Sequence, residues 1–185
     1  MGSDETHTAF FYATLMAPEV FFTVCYRSAT QDVAVLKSLH DFHPAILPGY
    51  SRRRVKYADY PGITADADHE VRGMYVTGLT AANMYKLDQF EGDEYVRETV
   101  KVRLLPKPGG SKGQEGESNG KAEDEVVETE VYVYKDPAHL EDREWDFEEF
   151  RTQRMKLWTR EDYGFEDTDH FAPKEVEDEA VAAAV

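Results

Sequence analysis

The sequence predicts an α+β domain, and three observations carry that expectation. Segments 95–105 and 126–134 alternate apolar and polar residues with the period of two that half-buried strands show. Segment 80–92 instead repeats Met84, Leu87 and Phe90 every three positions, between a capping Thr80 and a stopping Gly92. Hydrophobic residues make up 41% of 185 positions and aromatics 12%, enough to bury one sizeable core.

Taken in order, residues 1–8 are a polar lead-in expected to be disordered. The strand-favouring run Thr8–Leu15 opens at its end. Met16-Ala17-Pro18-Glu19 starts a helix, because proline suits a first turn and Glu19 complements the dipole there. That helix carries Val20, Phe21, Val24 and Cys25 on its apolar face. Residues 28–43 show weak helical spacing through Val33, Leu36 and Leu39, and a polar connection is the simpler reading. Pro44–Tyr50 reads as a short strand ended by Pro48-Gly49. Ser51–Tyr57 reads as a further strand with Arg52, Arg54 and Lys56 on one face. Pro61 cannot donate to a ladder, so it belongs at an edge or bend. His69–Leu79 is another strand, apolar on both faces, in which Gly73 marks a bend or a close backbone approach.

After the helix ending at Glu91 come the two alternating strands. The insertion 106–125 between them is almost free of apolar residues and reads as a mobile hairpin loop, so the strands pair antiparallel. Glu144–Phe150 opens a last helix that runs to about Trp158. Trp145 and Trp158 are expected to pack. Residues 161–185 form an acidic tail.

The formal net charge of −16 argues against unaided binding of nucleic acid or an anionic membrane, since both require cations. A lone Cys25 excludes an internal disulfide, and its expected role is a small buried apolar residue. No run approaches the roughly 20 apolar residues of a membrane span. The expectation is a cytoplasmic monomer with a small-molecule partner, no nucleic acid and no membrane.

Two places invite chemistry. Glu91 sits at a helix carboxyl end, where orphan carbonyls and the dipole disfavour its charge. Such a residue is either a solvated accident or a tuned acid/base, and the nearby Asp93 and Glu94 would lift its pKa further. The turn Tyr12-Ala13-Thr14-Leu15-Met16 leaves a strand and enters a helix, so its free N–H groups can hold an anion. His40 and His43 lack further ligands for a metal site. The row Arg52, Arg54 and Lys56 either attracts an anion or pairs with surface carboxylates, the second being favoured. Nucleotide-binding, phosphate-loop, hydrolase-elbow and zinc spacings do not occur.

Six stretches in order carry a resemblance: Phe11–Val20, Pro44–Tyr50, Val55-Lys56 with Tyr60–Ile63, Val71-Arg72-Gly73, Leu87–Tyr95 and Glu144–Phe150. Over roughly residues 9–158 the chain resembles the gamma-glutamylcyclotransferase-like family, in particular its plant avirulence-induced-gene branch and that branch's fungal relatives. The resemblance implies a domain over 9–160 built as a small mixed-sheet β-barrel flanked by helices. It implies cyclisation of a γ-glutamyl compound to 5-oxoproline with release of an amine, without metal or organic cofactor. Glu91 matches the family's acid/base. Tyr12, Ala13, Thr14 and Leu15 match its substrate-holding turn, and Tyr95 matches a recurrent tyrosine on the site wall. The family usually carries glycine where this chain has Ala13, and a methyl group there would crowd the substrate or forbid a positive φ. A non-catalytic ligand-binding or interaction protein on the same fold is the alternative.

Overall fold

The computed structural model describes residues 6–27, 33–107 and 125–146. Six strands and three α-helices run in the order β1 (His7–Phe11), α1 (Pro18–Tyr26), α2 (Val33–Leu39), β2 (Phe42–Val55), β3 (Pro61–Leu79), α3 (Ala81–Glu91), β4 (Tyr95–Leu104), β5 (Val126–Tyr134) and β6 (Leu140–Glu144). The sheet order is β3-β1-β5-β4-β2-β6, and a further pairing of β3 with β2 closes the first five strands into a barrel. β1 runs parallel to β5 and antiparallel to β3, so the sheet is mixed, as the family resemblance implied.

β1 shows why the barrel has two apolar layers. Side chains alternate faces along a strand. Phe10 and the following Tyr12 enter the barrel with Ala45, Leu47, Ile63, Val71, Val102 and Val131. Ala9 and Phe11 point the other way, towards Val20, Phe21, Met84 and Leu87 of α1 and α3. Phe10 and Phe21 are both fully buried, and each such ring contributes roughly 1.5–3 kcal/mol of transfer free energy. Gly73 of β3 is the predicted close approach: a Cβ there would lie 2.3 Å from the Phe11 carbonyl oxygen.

Several elements differ from the sequence reading. The stretches 44–50 and 51–55 belong to one 14-residue strand, Phe42–Val55, and Lys56-Tyr57, expected to continue it, turn away instead, with Tyr57 at φ 64°. Pro48-Gly49 does not end the strand; Gly49 takes φ of 80° and the ladder shifts register there as a bulge. β3 is likewise longer than expected and begins at Pro61, which needs no ladder donor at a strand's first residue. β1 starts at His7, within the lead-in. Part of 28–43 is helical as α2, and the rest to residue 32 lies outside the described residues. Glu144 ends β6 instead of opening a helix, because residues Leu140–Glu144 extend along β2, with Val55 opposite Leu140 and Arg53 opposite Glu144. Residues 147–158 of that expected helix, 108–124 of the insertion and the acidic tail lie outside the described residues. The antiparallel pairing of β4 with β5 is as expected, from Tyr95 opposite Tyr134 to Arg103 opposite Val126.

Candidate active site

The helix α3 is built to deliver one residue. Thr80 Oγ1 accepts from the Asn83 amide at 3.1 Å, and Asn83 Oδ1 accepts from the Thr80 amide at 3.0 Å. This reciprocal cap fixes where the helix starts. At the other end the Gly92 amide donates to the Asp88 carbonyl at 3.0 Å, with Gly92 at φ 72°. Glu91 is thereby the last helical residue. On the other side, β1 ends at Phe11 and the chain turns through Tyr12 and Ala13 into a single 3₁₀ turn, Thr14–Met16. That turn bonds Met16 N–H to the Ala13 carbonyl and Ala17 N–H to the Thr14 carbonyl. Among the described residues, the amides of Ala13, Thr14 and Leu15 meet no such acceptor.

The two ends face one cavity of about 820 Å³, a size usual for small-molecule sites. Tyr12, Ala13, Thr14, Leu15, Glu91 and Tyr95 all line it, so the structure brings every sequence-predicted site residue together. Burial pushes the Glu91 carboxyl up to about 8, with the charge of Asp88 as the second cause. The sequence reading looked for that second cause in Asp93 and Glu94. Asp93 is instead exposed. Glu94 is occupied, accepting from Tyr60 Oη at 2.8 Å and Tyr134 Oη at 3.3 Å. Among the described residues no hydrogen bond or ion pair holds the Glu91 carboxyl, which leaves it available to a ligand.

Tyrosines build the walls. Tyr12 Oη donates to the Tyr132 carbonyl at 2.6 Å, and Tyr95 Oη donates to the Pro61 carbonyl at 2.7 Å. Burial raises the Tyr12, Tyr95 and Tyr132 hydroxyls far above the usual phenol range, so all three stay neutral. Tyr95 is further steadied edge-on against Tyr134, ring centroids 5.2 Å apart.

Sequence reasoning missed three contributors. Tyr132 donates to Asp88 Oδ1 at 2.8 Å, and Arg97 Nε pairs with the same oxygen at 2.9 Å. Alternation along β4 and β5 was visible, but the register that sets Arg97 opposite Tyr132 was not. Arg52 is the third. It is buried, donates from Nη1 to the Tyr12 carbonyl at 2.8 Å and lies over the Trp145 ring at 5.4 Å, so it braces the turn from behind. Of the row Arg52, Arg54 and Lys56, two follow the favoured reading of carboxylate pairing, Arg52 meeting Glu144 at 3.7 Å and Arg54 meeting Asp59 at 3.4 Å, whereas Lys56 Nζ donates to the Ala138 carbonyl at 2.7 Å.

His40 and His43 do different things. His40 is buried between the Tyr26 hydroxyl and the Thr77 carbonyl, while His43 Nε2 meets the Leu105 carbonyl at 2.7 Å. Among the described residues no three His, Cys, Asp or Glu side chains gather as for a metal ion. No helix among those residues is long and apolar enough to cross a membrane.

Comparison with known proteins gives consistent matches. The family model described as gamma-glutamyl cyclotransferase, AIG2-like, matches residues 9–149. Protein AIG2 C of Arabidopsis thaliana is 31% identical over 147 residues, spanning 80% of this chain and 73% of the relative. AIG2-like protein C of the same plant is 34% identical over 151 residues, spanning 82% and 73%. A solution structure of an Arabidopsis thaliana protein, 28% identical, superposes with a TM-score of 0.56 over 85% of this chain and 80% of the other. A solved gamma-glutamyl cyclotransferase, 16% identical, shares the fold with a TM-score of 0.50 over 74% of this chain and 69% of its own.

Proposed function

Since the chain belongs to the gamma-glutamyl cyclotransferase, AIG2-like family, we propose that it cyclises a γ-glutamyl amine or γ-glutamyl amino acid to 5-oxoproline. The observation that carries this is the placement of an unpaired Glu91 carboxyl across one cavity from the 12–15 turn.

In the proposed reaction the ionised Glu91 carboxylate takes a proton from the substrate's α-ammonium group. The freed nitrogen attacks the substrate's own γ-carbonyl carbon, forming the ring C–N bond and a tetrahedral oxyanion. Glu91 returns its proton to the leaving nitrogen, the oxyanion re-forms the carbonyl as the original amide C–N bond breaks, and Glu91, again a carboxylate, takes the second proton from the ring nitrogen and passes it to the departing amine, which leaves as its ammonium form beside neutral-ring 5-oxoproline. Nucleophile and electrophile belong to one molecule, so the protein's task is chiefly to fold the substrate into a reactive conformer. The amides of Ala13, Thr14 and Leu15 are suited to hold the substrate's anionic groups. Tyr12, Tyr95 and Tyr132 supply a rigid, neutral wall.

The test is release of 5-oxoproline from a panel of γ-glutamyl amines and γ-glutamyl amino acids. Glu91→Gln is expected to lose 10²–10⁴-fold, roughly the worth of a positioned general acid/base. Equal turnover by wild type and variant would remove Glu91 from the mechanism, and no turnover of any compound would count against an enzyme. Because the base must be ionised, kcat/KM is expected to fall as pH drops below about 8.

Ala13 motivates the second reading, a ligand-binding protein without turnover. Its φ of −131° shows that the position needs no positive φ. Ala13 nevertheless lines the cavity. Calorimetric binding of 5-oxoproline by a protein that turns over no γ-glutamyl compound would favour that reading.

A further inference from the structure

Asp88 takes no part in the reaction just described, yet it is the most firmly held carboxylate of the site. It lies one turn before Glu91 on α3, so the two carboxyl groups share a helix face. Tyr132 Oη and Arg97 Nε both reach Asp88 Oδ1, at 2.8 and 2.9 Å. Arg97 is anchored in turn on Glu130 Oε2 at 2.9 Å. Arg97 and Tyr132 are direct partners in the β4–β5 ladder, so both project from the same place on the barrel.

Around Glu91 stand Tyr12 from the turn after β1, Tyr95 from β4, Tyr132 from β5 and Asp88 from its own helix. The three tyrosines remain neutral. Arg97 is already shared between Asp88 and Glu130. At the cavity wall Glu94 is occupied by the Tyr60 and Tyr134 hydroxyls, and Asp93 and Lys135 are exposed. The charge that acts on Glu91 at short range is therefore that of Asp88.

We propose that Asp88 is a positioning residue for Glu91: Tyr132 and Arg97 fix its carboxylate one helical turn away, and that fixed charge adds to burial in setting when the general base carries its proton. In the empty cavity burial and the charge of Asp88 together keep Glu91 protonated. Entry of the substrate's α-ammonium group offsets the negative charge, Glu91 releases one proton to solvent, and the resulting carboxylate stands beside the amine it must deprotonate. The inference rests on the cyclotransferase reading for its consequence, but its physical content does not need turnover.

The experiment is a carbon-13 titration of the Glu91 side-chain carboxyl in the full chain, assigned by its loss in Glu91→Gln. Asp88→Asn keeps an acceptor for Tyr132 and removes the charge; it is expected to lower the Glu91 midpoint by about one pH unit. Arg97→Gln removes the compensating cation and is expected to raise it. Opposite shifts from the two variants are not produced by a general loosening of the fold. A midpoint that stays within 0.2 units, as a rough threshold, in both variants, or one that moves the same way in both, overturns the proposal. Should wild type turn over a γ-glutamyl substrate, the acid limb of kcat/KM is expected to move in step with the midpoints. Loss of all activity at every pH in Asp88→Asn, matching Glu91→Gln, would overturn the positioning role by making Asp88 a reacting group. Absence of turnover in wild type would sink the cyclotransferase reading and leave the titration result standing.

Discussion

At the scale of the residue, the Glu91 carboxyl joins the proposed function to a cost in stability. An α-amine loses its proton near 8 and an ordinary glutamate near 4.3, so transfer to an ordinary glutamate would run uphill by about 5 kcal/mol. A carboxyl raised to about 8 in the ligand-free protein narrows that gap. The same shift works against the fold. The folded chain holds the proton between the ordinary carboxylate range and about pH 8, whereas the unfolded chain has released it. Stability is therefore fully present below the unfolded value and declines as pH rises to the folded one. Glu91→Gln is expected to match wild type in denaturant melts at pH 4.5 and to exceed it at pH 8.5. The excess should be on the order of 1–3 kcal/mol, below the full linkage value because the cavity is open to water. A difference that ignores pH would show that Glu91 is not strained by burial. Legibility at this scale was uneven. Glu91, Tyr12 and Tyr95 were found because their motifs are contiguous in the chain. Asp88 lies inside one of those motifs, but its partners Tyr132 and Arg97 reach it across 44 and nine positions, and no local pattern marks such a pairing.

At the scale of the element, α3 shows what chain chemistry announces and β2 shows what it hides. Thr80 and Gly92 marked the two ends of α3 because a capping hydroxyl and a positive-φ glycine act locally. Gly92 combines φ 72° with ψ −169°, a region almost restricted to glycine, and a Cβ there would meet nothing within 4 Å. Gly92→Ala is thus expected to cost about 1–3 kcal/mol through backbone strain alone. Because the strain falls beside Glu91, the variant should lose activity at temperatures where thermal melts show it still folded; full activity with unchanged Tm would refute this. In β2, Pro48-Gly49 reads as a breaker. The strand survives it because a bulge absorbs Gly49 and the ladder to β3 resumes at Tyr50. β6 was missed for another reason. Its sequence Leu-Glu-Asp-Arg-Glu carries a single buried side chain, Leu140, and it is a strand only because the outer half of β2 offers an open edge.

At the scale of the whole molecule, the layer packed between the barrel and its helices protects what it covers. Cys25 lies fully buried on α1, and burial pushes its thiol up to about 12. A disulfide reagent at pH 8 is expected to modify Cys25 only as fast as the protein opens, with labelling and global unfolding sharing one midpoint in denaturant. Fast labelling of the native protein would mean that α1 detaches by itself. The net charge of −16 did not foretell any of this architecture. It speaks of solubility and partners, whereas closure depends on which distant strands align. That alignment has a temporal side. The parallel neighbour of β1 is β5, and the Tyr12 hydroxyl finds its acceptor 120 residues later, at Tyr132. A ribosome therefore releases the 12–15 turn long before the strand that will steady it. Until residues near 132 emerge, the nascent chain carries a half-made pocket with an apolar strand lacking its second neighbour. Folding should be slow for the chain's size, as long-range pairings dictate, and a fragment ending before β5 should bind chaperones rather than substrate.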